Sequence, residues 1–93
     1  MSYVLLRTGA FSRAARRLMK KDRSSSQHLE GALRQLQADP HHPSLKTHKL
    51  KGELRECWAC SAGYDLRIIF EFTRHAGKAA ILLLSIGTHD EIY

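Results

Sequence analysis

Residues 64–72 read Tyr64-Asp65-Leu66-Arg67-Ile68-Ile69-Phe70-Glu71-Phe72 and predict a β-strand in the middle of a sheet. Successive side chains of a strand point to opposite faces, so every second residue shares a face. One face carries Leu66, Ile68, Phe70 and Phe72, and the other carries Asp65, Arg67, Ile69 and Glu71. We expect the apolar face to pack under helices, and Asp65 and Arg67 to point to the open face.

Three further strands are predicted around this one. Leu54 to Cys60 precedes it across a tight turn at residues 61–63, and Ala79 to Ile86 follows it across a turn at residues 73–78. A short strand from Ser2 to Leu6 begins the chain, and Thr8-Gly9 breaks it.

Two amphipathic helices are predicted between the first strand and the others. The first runs from Ala10 and carries a basic outer face composed of Arg13, Arg16, Arg17, Lys20 and Lys21. The second begins at Ser24, with Ser24 and Gln27 at capping-box spacing, and stops at Asp39-Pro40 because the residue before proline avoids the helical region. The order is β-α-α-β-β-β, an α+β fold in which a helical hairpin packs on one face of the sheet.

Length and composition allow one soluble domain, residues 1–93. Apolar residues make up 43% and charged residues 26% of the chain, which is ordinary for a globular protein. The longest apolar stretch, Ala79 to Leu84, is far shorter than the ~20 residues that cross a bilayer. The first residues lack the features of a signal peptide, and two cysteines do not make a disulfide framework. We therefore expect a cytoplasmic protein with no membrane partner.

The positive charge is concentrated in the first half of the chain. Residues 1–52 hold 11 Lys and Arg against 3 Asp and Glu, whereas residues 53–93 hold 4 against 6, so the net charge of +6 comes from the first part. Such a distribution favours a polyanionic partner, although many small soluble proteins are simply basic.

The C-x-x-C at Cys57 and Cys60 does not predict a redox or zinc site. It lies within a predicted strand, where residues three apart point to opposite faces, and His75 and His89 are 14 positions apart rather than at finger spacing. Half-buried strand cysteines are the better interpretation. Phosphate-binding loops, dinucleotide-binding glycines and hydrolase motifs are not found in the sequence, and nothing in it calls for a cofactor or a metal ion.

The remaining candidates are His48, Asp65, Arg67 and the segment His89-Asp90-Glu91. Imidazoles exchange protons near neutral pH, and a guanidinium can hold a phosphate and stabilise charge that develops on it. Together they suit RNA cleavage in which one base activates a ribose 2′-OH and one acid protonates the departing 5′-oxygen. Each histidine could equally have a structural role, and Asp65 and Arg67 could be a cross-strand ion pair.

Three segments resemble the RelE/ParE toxin superfamily, most closely its YafQ-like mRNA interferases. They are Leu45-Lys46-Thr47-His48-Lys49-Leu50-Lys51-Gly52, Asp65-Leu66-Arg67-Ile68-Ile69-Phe70 and Ile86-Gly87-Thr88-His89-Asp90-Glu91-Ile92-Tyr93. The resemblance covers nearly the whole chain, and its terminal Gly-Thr-His-x-x-Ile-Tyr is the most specific part. It implies a twisted, mostly antiparallel sheet with helices on one side and the active surface on the other.

The resemblance also implies site residues. His48 and His89 match an acid/base pair, with His48 slightly favoured as the base, and Asp65 matches a strand aspartate that orients a histidine. Arg67 is expected on the scissile phosphate, and Tyr93 matches a final aromatic residue that stacks on a base or approaches the phosphate. Two positions depart from the pattern, because Ser61 and Ser85 stand where those enzymes carry a further histidine and an arginine. Two explanations stay open: catalysis depends more heavily on the ribosome, or the missing contributions come from other cations, namely Lys46, Lys49, Lys51 or Arg55.

The function that the resemblance implies is that of a type II toxin that cuts mRNA on the ribosome. Its partners would be mRNA, rRNA and an antitoxin of the RelB/DinJ kind, through which a complex could bind operator DNA. Two alternatives stay open at this stage: a ParE-like poison that binds DNA gyrase, and a decayed toxin that binds its antitoxin but no longer cuts.

Overall fold

The computed structural model describes residues 2–52 and 56–92. Its elements are β1 (Val4–Arg7), α1 (Gly9–Lys21), α2 (Ser24–Ala38), β2 (His48–Lys49), β3 (Trp58–Ala62), β4 (Leu66–His75), β5 (Lys78–Thr88) and α3 (His89–Ile92). The strands form one sheet in the order β1-β5-β4-β3-β2, in which β1 is parallel to β5 and the other neighbours are antiparallel. The predicted α+β order is confirmed, and β2 and α3 are added to it.

Helix α1 begins at a side-chain cap that also joins it to the sheet. The hydroxyl of Thr8 accepts a hydrogen bond from the N–H of Phe11 at 3.1 Å and donates one to the carbonyl oxygen of Leu83 at 2.8 Å. Phe11 and Ala15 are buried, and the five basic residues predicted on the outer side are exposed. The predicted amphipathic helix with a basic face is confirmed.

Helix α2 begins at Ser24 as predicted, but the predicted capping box is wrong. The carboxylate of Asp22 accepts hydrogen bonds from the backbone N–H and the hydroxyl of Ser24, at 3.0 and 2.7 Å. These two hydrogen bonds stabilise the ionised carboxylate and hold the pKa of Asp22 below its ordinary value. The helix ends at Ala38, immediately before Asp39-Pro40, as predicted.

No helix in the described part of the chain is long and apolar enough to cross a bilayer.

The turn between β4 and β5 is shorter than predicted. It consists of Ala76 and Gly77 alone, because the strands extend to His75 and from Lys78. Both turn residues have positive φ, 51° and 79°. Positive φ at both central positions lets a two-residue turn match the twist of its strands. The hairpin therefore does not need the longer loop that was predicted.

The turn between β3 and β4 lies further along the chain than predicted. Strand β3 begins at Trp58 and continues through Ala62, and residues 63–65 form the turn, so β4 begins at Leu66 rather than Tyr64. Residues 54 and 55 of the strand predicted from Leu54 lie outside the described residues. Gly63 has a φ of 77°, a left-handed backbone conformation that costs free energy in a residue with a Cβ. Because glycine adopts it without this cost, the chain can reverse here.

The sheet carries an apolar cluster on each face. The larger one lies under α1 and α2 and includes Leu66, Ile68 and Phe70, with Phe72 packed at its margin, so the predicted buried face of β4 is confirmed. A smaller cluster on the opposite face contains Leu50, Cys57, Ala59 and Ile69, with Leu84 and Ile92 packed against it. The face expected to be open is therefore partly covered, because Ile92 brings α3 onto it.

The two cysteines lie in different clusters. Cys60 belongs to the larger cluster and Cys57 to the smaller one, and both are buried free thiols. Burial raises the pKa of Cys60 to about 12. Burial also raises the pKa of Cys57, with a further contribution from the negative charges of Glu71 and Glu56. The prediction that these residues point to opposite faces is confirmed, and they are buried rather than half-buried.

Candidate active site

One cavity brings together side chains that are distant in the sequence. It has a volume of about 400 Å³ and is lined by Lys46, His48, Ser61, Arg67 and His89. We call it the histidine cavity. Four of these five residues were predicted as site residues, and they come from β2, β4, the start of α3 and the segment before β2.

The register of the sheet explains why these side chains meet. Ser61 is paired with Arg67, and His48 is paired with Ala59, two positions before Ser61. Partners across antiparallel strands and residues two apart on one strand share a face. His48, Ser61 and Arg67 therefore lie on the face of the smaller apolar cluster, away from α1 and α2.

His48 is oriented by the backbone next to it. Its Nδ1 lies 3.0 Å from the carbonyl oxygen of Lys46, which has the left-handed φ of 50°. A carbonyl oxygen can only accept, so the neutral ring carries its proton on Nδ1, and Nε2 is the basic nitrogen. This tautomer is the one that suits a general base.

Arg67 supplies positive charge at the centre of the site. Its guanidinium is partly buried, and Nη1 donates to the carbonyl oxygen of Leu66 at 3.0 Å. Lys46 lines the same cavity. A cavity lined by a guanidinium and an ammonium group attracts an anion such as a phosphodiester.

His89 stands where β5 ends and α3 begins. Its backbone N–H donates to the carbonyl oxygen of Asp65 at 3.0 Å. Its ring is about half exposed, and Nδ1 lies 3.8 Å from a carboxylate oxygen of Asp90, an ion pair when the ring is protonated. The second imidazole thus reaches the cavity from the side opposite to β2.

Three other predicted site residues, Asp65, Lys49 and Lys51, do not line this cavity. Asp65 was predicted to lie on a strand and point to the face of Arg67, but it lies in the turn before β4 and lines a neighbouring cavity. Lys49 is paired with Trp58, which packs against the larger cluster, so Lys49 lies on the helix side of the sheet. Lys51 is exposed just after β2. Arg55 and Tyr93 lie outside the described residues.

The two positions that depart from the expected pattern have different surroundings. Ser61 lines the histidine cavity, so the site has a hydroxyl where a further histidine was expected. Ser85 lines a separate cavity of about 190 Å³ beside Arg17 and Lys21 of α1. These two cations share a cavity with Ser85, the position on β5 at which an arginine was expected. In the sequence they stood out only as part of the basic face of α1.

The histidine cavity combines a proton acceptor, a proton donor and cations. These are the groups needed to move a proton from a hydroxyl, stabilise charge on a phosphate and protonate a leaving oxygen. Within residues 2–52 and 56–92, no group of three or more His, Cys, Asp or Glu side chains is placed to hold a metal ion.

The fold is shared by solved structures of small bacterial toxins. A YoeB/ParE toxin from Agrobacterium tumefaciens superposes with a TM-score of 0.76 at 14% identity, covering 92% of this chain and 98% of that one. The E. coli DinJ-YafQ toxin-antitoxin complex gives a TM-score of 0.75 at 17% identity, covering 100% and 99%. YafQ from E. coli gives 0.68 at 18% identity, covering 98% of both chains. No curated protein sequence matches the chain.

The architecture is therefore one that solved YoeB/ParE and YafQ toxins share. A family model described as "Bacterial toxin of type II toxin-antitoxin system, YafQ" matches residues 3–93. Because this match spans nearly the whole sequence, the chain belongs to the YafQ toxin family. The predicted resemblance is confirmed.

Proposed function

We propose that this toxin is a ribosome-dependent mRNA endonuclease. The observation that carries the proposal is that His48, Arg67, His89 and Lys46 line one cavity of about 400 Å³ although they come from separate segments of the chain. A toxin that acts by binding alone, as a ParE-like gyrase poison would, has no need for two imidazoles beside two cations.

The chemistry follows from the protonation states and charges of these groups. Nε2 of His48 takes the proton of a ribose 2′-OH, and the resulting oxygen attacks the adjacent phosphorus. Arg67 and Lys46 bind the non-bridging oxygens and stabilise the extra negative charge as the new P–O bond forms. Protonated His89 gives its proton to the 5′-oxygen as the old P–O bond breaks. The products are a 2′,3′-cyclic phosphate and a 5′-hydroxyl.

Docking on rRNA would use the basic first half of the chain. The exposed cations of α1 present a positive surface, and Lys and Arg contacts to phosphate supply affinity that does not depend on sequence and decreases with salt. The ribosome would then hold the message in the histidine cavity, whose own few contacts give little affinity.

The decisive experiment compares variants by primer extension on mRNA after induction in bacteria. We expect the wild type to produce discrete cuts, and His48→Ala, Arg67→Ala and His89→Ala each to reduce cutting by about 100-fold or more. His75→Ala is the matched control, because His75 is exposed in the distant turn region of β4 and β5. Cutting by all three site variants at the wild-type rate would overturn the proposal.

A second experiment separates this mechanism from its alternatives. On ribosomes programmed with a defined message, replacing the 2′-OH at the cut site by hydrogen removes the nucleophile and should abolish cleavage. Cleavage of the deoxy message would exclude the mechanism. Inhibition of DNA supercoiling with intact mRNA would favour a ParE-like poison, and antitoxin binding without either activity would indicate a decayed toxin.

We further propose that the partner of this chain is an antitoxin, because the E. coli toxin YafQ forms a toxin-antitoxin complex with DinJ. The formal charge of +6 favours a partner with an acidic or amphipathic segment. Co-expression with the product of the adjacent reading frame should yield a co-purifying complex and relieve growth inhibition. If that complex does not form, this pairing is wrong, whereas the cleavage proposal is tested separately above.

A further inference from the structure

A second cavity lies beside the histidine cavity, at the same end of the sheet. It has a volume of about 310 Å³ and lies between the tip of the α1–α2 hairpin and the turn that connects β3 to β4. The residues used below are Lys21, Asp22, His28, Tyr64, Asp65 and Thr88. We call it the flanking cavity.

The rim of the flanking cavity carries an unusual side chain. Among residues 2–52 and 56–92, Tyr64 is the one large hydrophobic residue that stands in solvent, with 97% of its surface exposed. A tyrosine in this position contributes almost nothing to the core. It does, however, offer a complete aromatic face beside a cavity, which is the arrangement on which nucleobases stack.

The backbone holds Tyr64 in this position. The preceding residue, Gly63, has a φ of 77°, and a Cβ at that site would come within 2.8 Å of the ring of His28. The turn therefore lies directly against α2. Tyr64 is presented by a closely packed turn and not by a loose loop.

The two cavities meet at the ends of β4 and β5, on opposite sides of the sheet. Asp65 and Thr88 line the flanking cavity, whereas Arg67 and His89, one or two positions further on, line the histidine cavity. The hydrogen bond from the N–H of His89 to the carbonyl oxygen of Asp65 joins the two strand ends at this boundary. A nucleic acid strand with a phosphate in the histidine cavity would pass around these strand ends to reach the flanking cavity.

The charges of the flanking cavity suit a base rather than a phosphate. Lys21, at the end of the basic face of α1, lines the cavity together with Asp22 and Asp65. Asp22 already accepts two hydrogen bonds from Ser24. Carboxylates repel a phosphate but accept hydrogen bonds from the amino and imino groups of bases, so Asp65 is suited to the base edge and Lys21 to the backbone.

We propose that the flanking cavity binds the nucleobase next to the cleaved phosphodiester, with Tyr64 stacked on the base. The inference rests on the proposed RNA cleavage and adds a binding subsite to it. With this subsite, the rate of cleavage depends on which base neighbours the cut and on whether that base is present. Tyr64 takes no part in the proton transfers.

The test is a cycle that pairs a protein change with an RNA change. Single-turnover cleavage is measured on ribosomes programmed with messages that carry an abasic nucleotide one position before or one position after the cut. With the normal message, Tyr64→Ala should slow cleavage about tenfold and Tyr64→Phe should not, because stacking on a base needs only the ring. With the abasic nucleotide at the stacked position, wild type and Tyr64→Ala should cut at the same, reduced rate.

The controls separate this inference from the proposed function. Tyr64 is exposed, so both variants should fold, and equal melting temperatures check this. If Tyr64→Ala slows all messages by the same factor, including both abasic ones, Tyr64 contacts something other than that base and the inference is wrong. If the wild type cuts no message at all, the proposed function itself fails.

Discussion

The backbone N–H of His89 donates a hydrogen bond to the carbonyl oxygen of Asp65 at 3.0 Å. As the first N–H of α3, it lacks an acceptor within its own helix, and the turn before β4 supplies one. The bond fixes the direction in which α3 leaves the sheet. His89 is therefore held in the histidine cavity by main-chain contacts, and its position depends on how α3 packs.

Ile92 should matter for activity through that packing. It is the residue of α3 that packs against the smaller cluster of Leu50, Cys57, Ala59 and Ile69. We expect Ile92→Ala to lower the free energy of unfolding by about 1–2 kcal/mol, because α3 loses its apolar contact with the sheet. Cleavage should slow by more than this loss of stability alone would cause, because the position of His89 depends on α3. Ile92→Val should restore most of both. Cleavage that is unchanged in a measurably destabilised Ile92→Ala protein would show that His89 does not depend on α3.

Arg67 should not be replaceable by lysine. A guanidinium can bind two phosphate oxygens side by side while donating to the carbonyl oxygen of Leu66, whereas an ammonium is a single point charge. We expect Arg67→Lys to slow single-turnover cleavage by about tenfold to 100-fold, with Arg67→Ala slower still. Equal rates for the lysine variant and the wild type would mean that charge alone is required.

Gly63 should be sensitive to substitution for two separable reasons. Gly63→Ala introduces a Cβ at positive φ and brings it within 2.8 Å of the ring of His28, whereas Gly77→Ala meets the same φ penalty with no atom within 4 Å. We expect Gly77→Ala to cost about 1 kcal/mol in the free energy of unfolding and Gly63→Ala distinctly more.

The clash can be isolated with one further variant. Adding His28→Ala to Gly63→Ala removes the ring atoms that the new Cβ would meet at 2.8 and 2.9 Å, but keeps the Cβ of residue 28 at 3.1 Å. The combined change should therefore recover most, but not all, of the cost that Gly63→Ala adds to the φ penalty seen at Gly77. Denaturant unfolding of the four proteins measures these differences. If the two glycine variants are equally stable, the turn does not pack against α2 as described.

Cys60 should make stability fall at alkaline pH. Burial raises its pKa from 9.0 to about 12, so between these values the unfolded chain loses a proton that the folded chain keeps. The contribution of the buried thiol is fully present below pH 9 and declines above it, by at most about 1.4 kcal/mol per pH unit. Unfolding measured from pH 8 to 10.5 should show a smaller pH slope for Cys60→Ala than for the wild type. Equal slopes would contradict the assigned burial.

Sequence patterns predicted the elements whose signals are local. The alternation in β4, the amphipathic pattern of α1 and the stop at Asp39-Pro40 all depend on a residue and its near neighbours, and all three are confirmed. The errors lie at boundaries. The N–H of Ser24, the first in α2, is bound by the carboxylate of Asp22, and the turn at residues 63–65 contains a glycine that packs against another element.

Only part of the site was predicted, because the resemblance supplied its residues but not their geometry. His48, Arg67 and His89 meet in one cavity with Lys46, but Asp65 and Lys49 have different surroundings. Strand β2 has only two residues, too few for a periodic signal, yet its register decides which of His48 and Lys49 faces the histidine cavity. The exposed Tyr64 gave no signal either, because its exposure depends on where β4 begins.

The sequence by itself determined the chain's family, its basic first half and the residue types available for proton transfer, because these are properties of residue identity and spacing. The tertiary structure decided which of those residues share a cavity, since that depends on pairing between strands far apart in the chain and on a turn that packs against a helix. A change of one residue in register would send His48 to the other face without altering the composition or any motif.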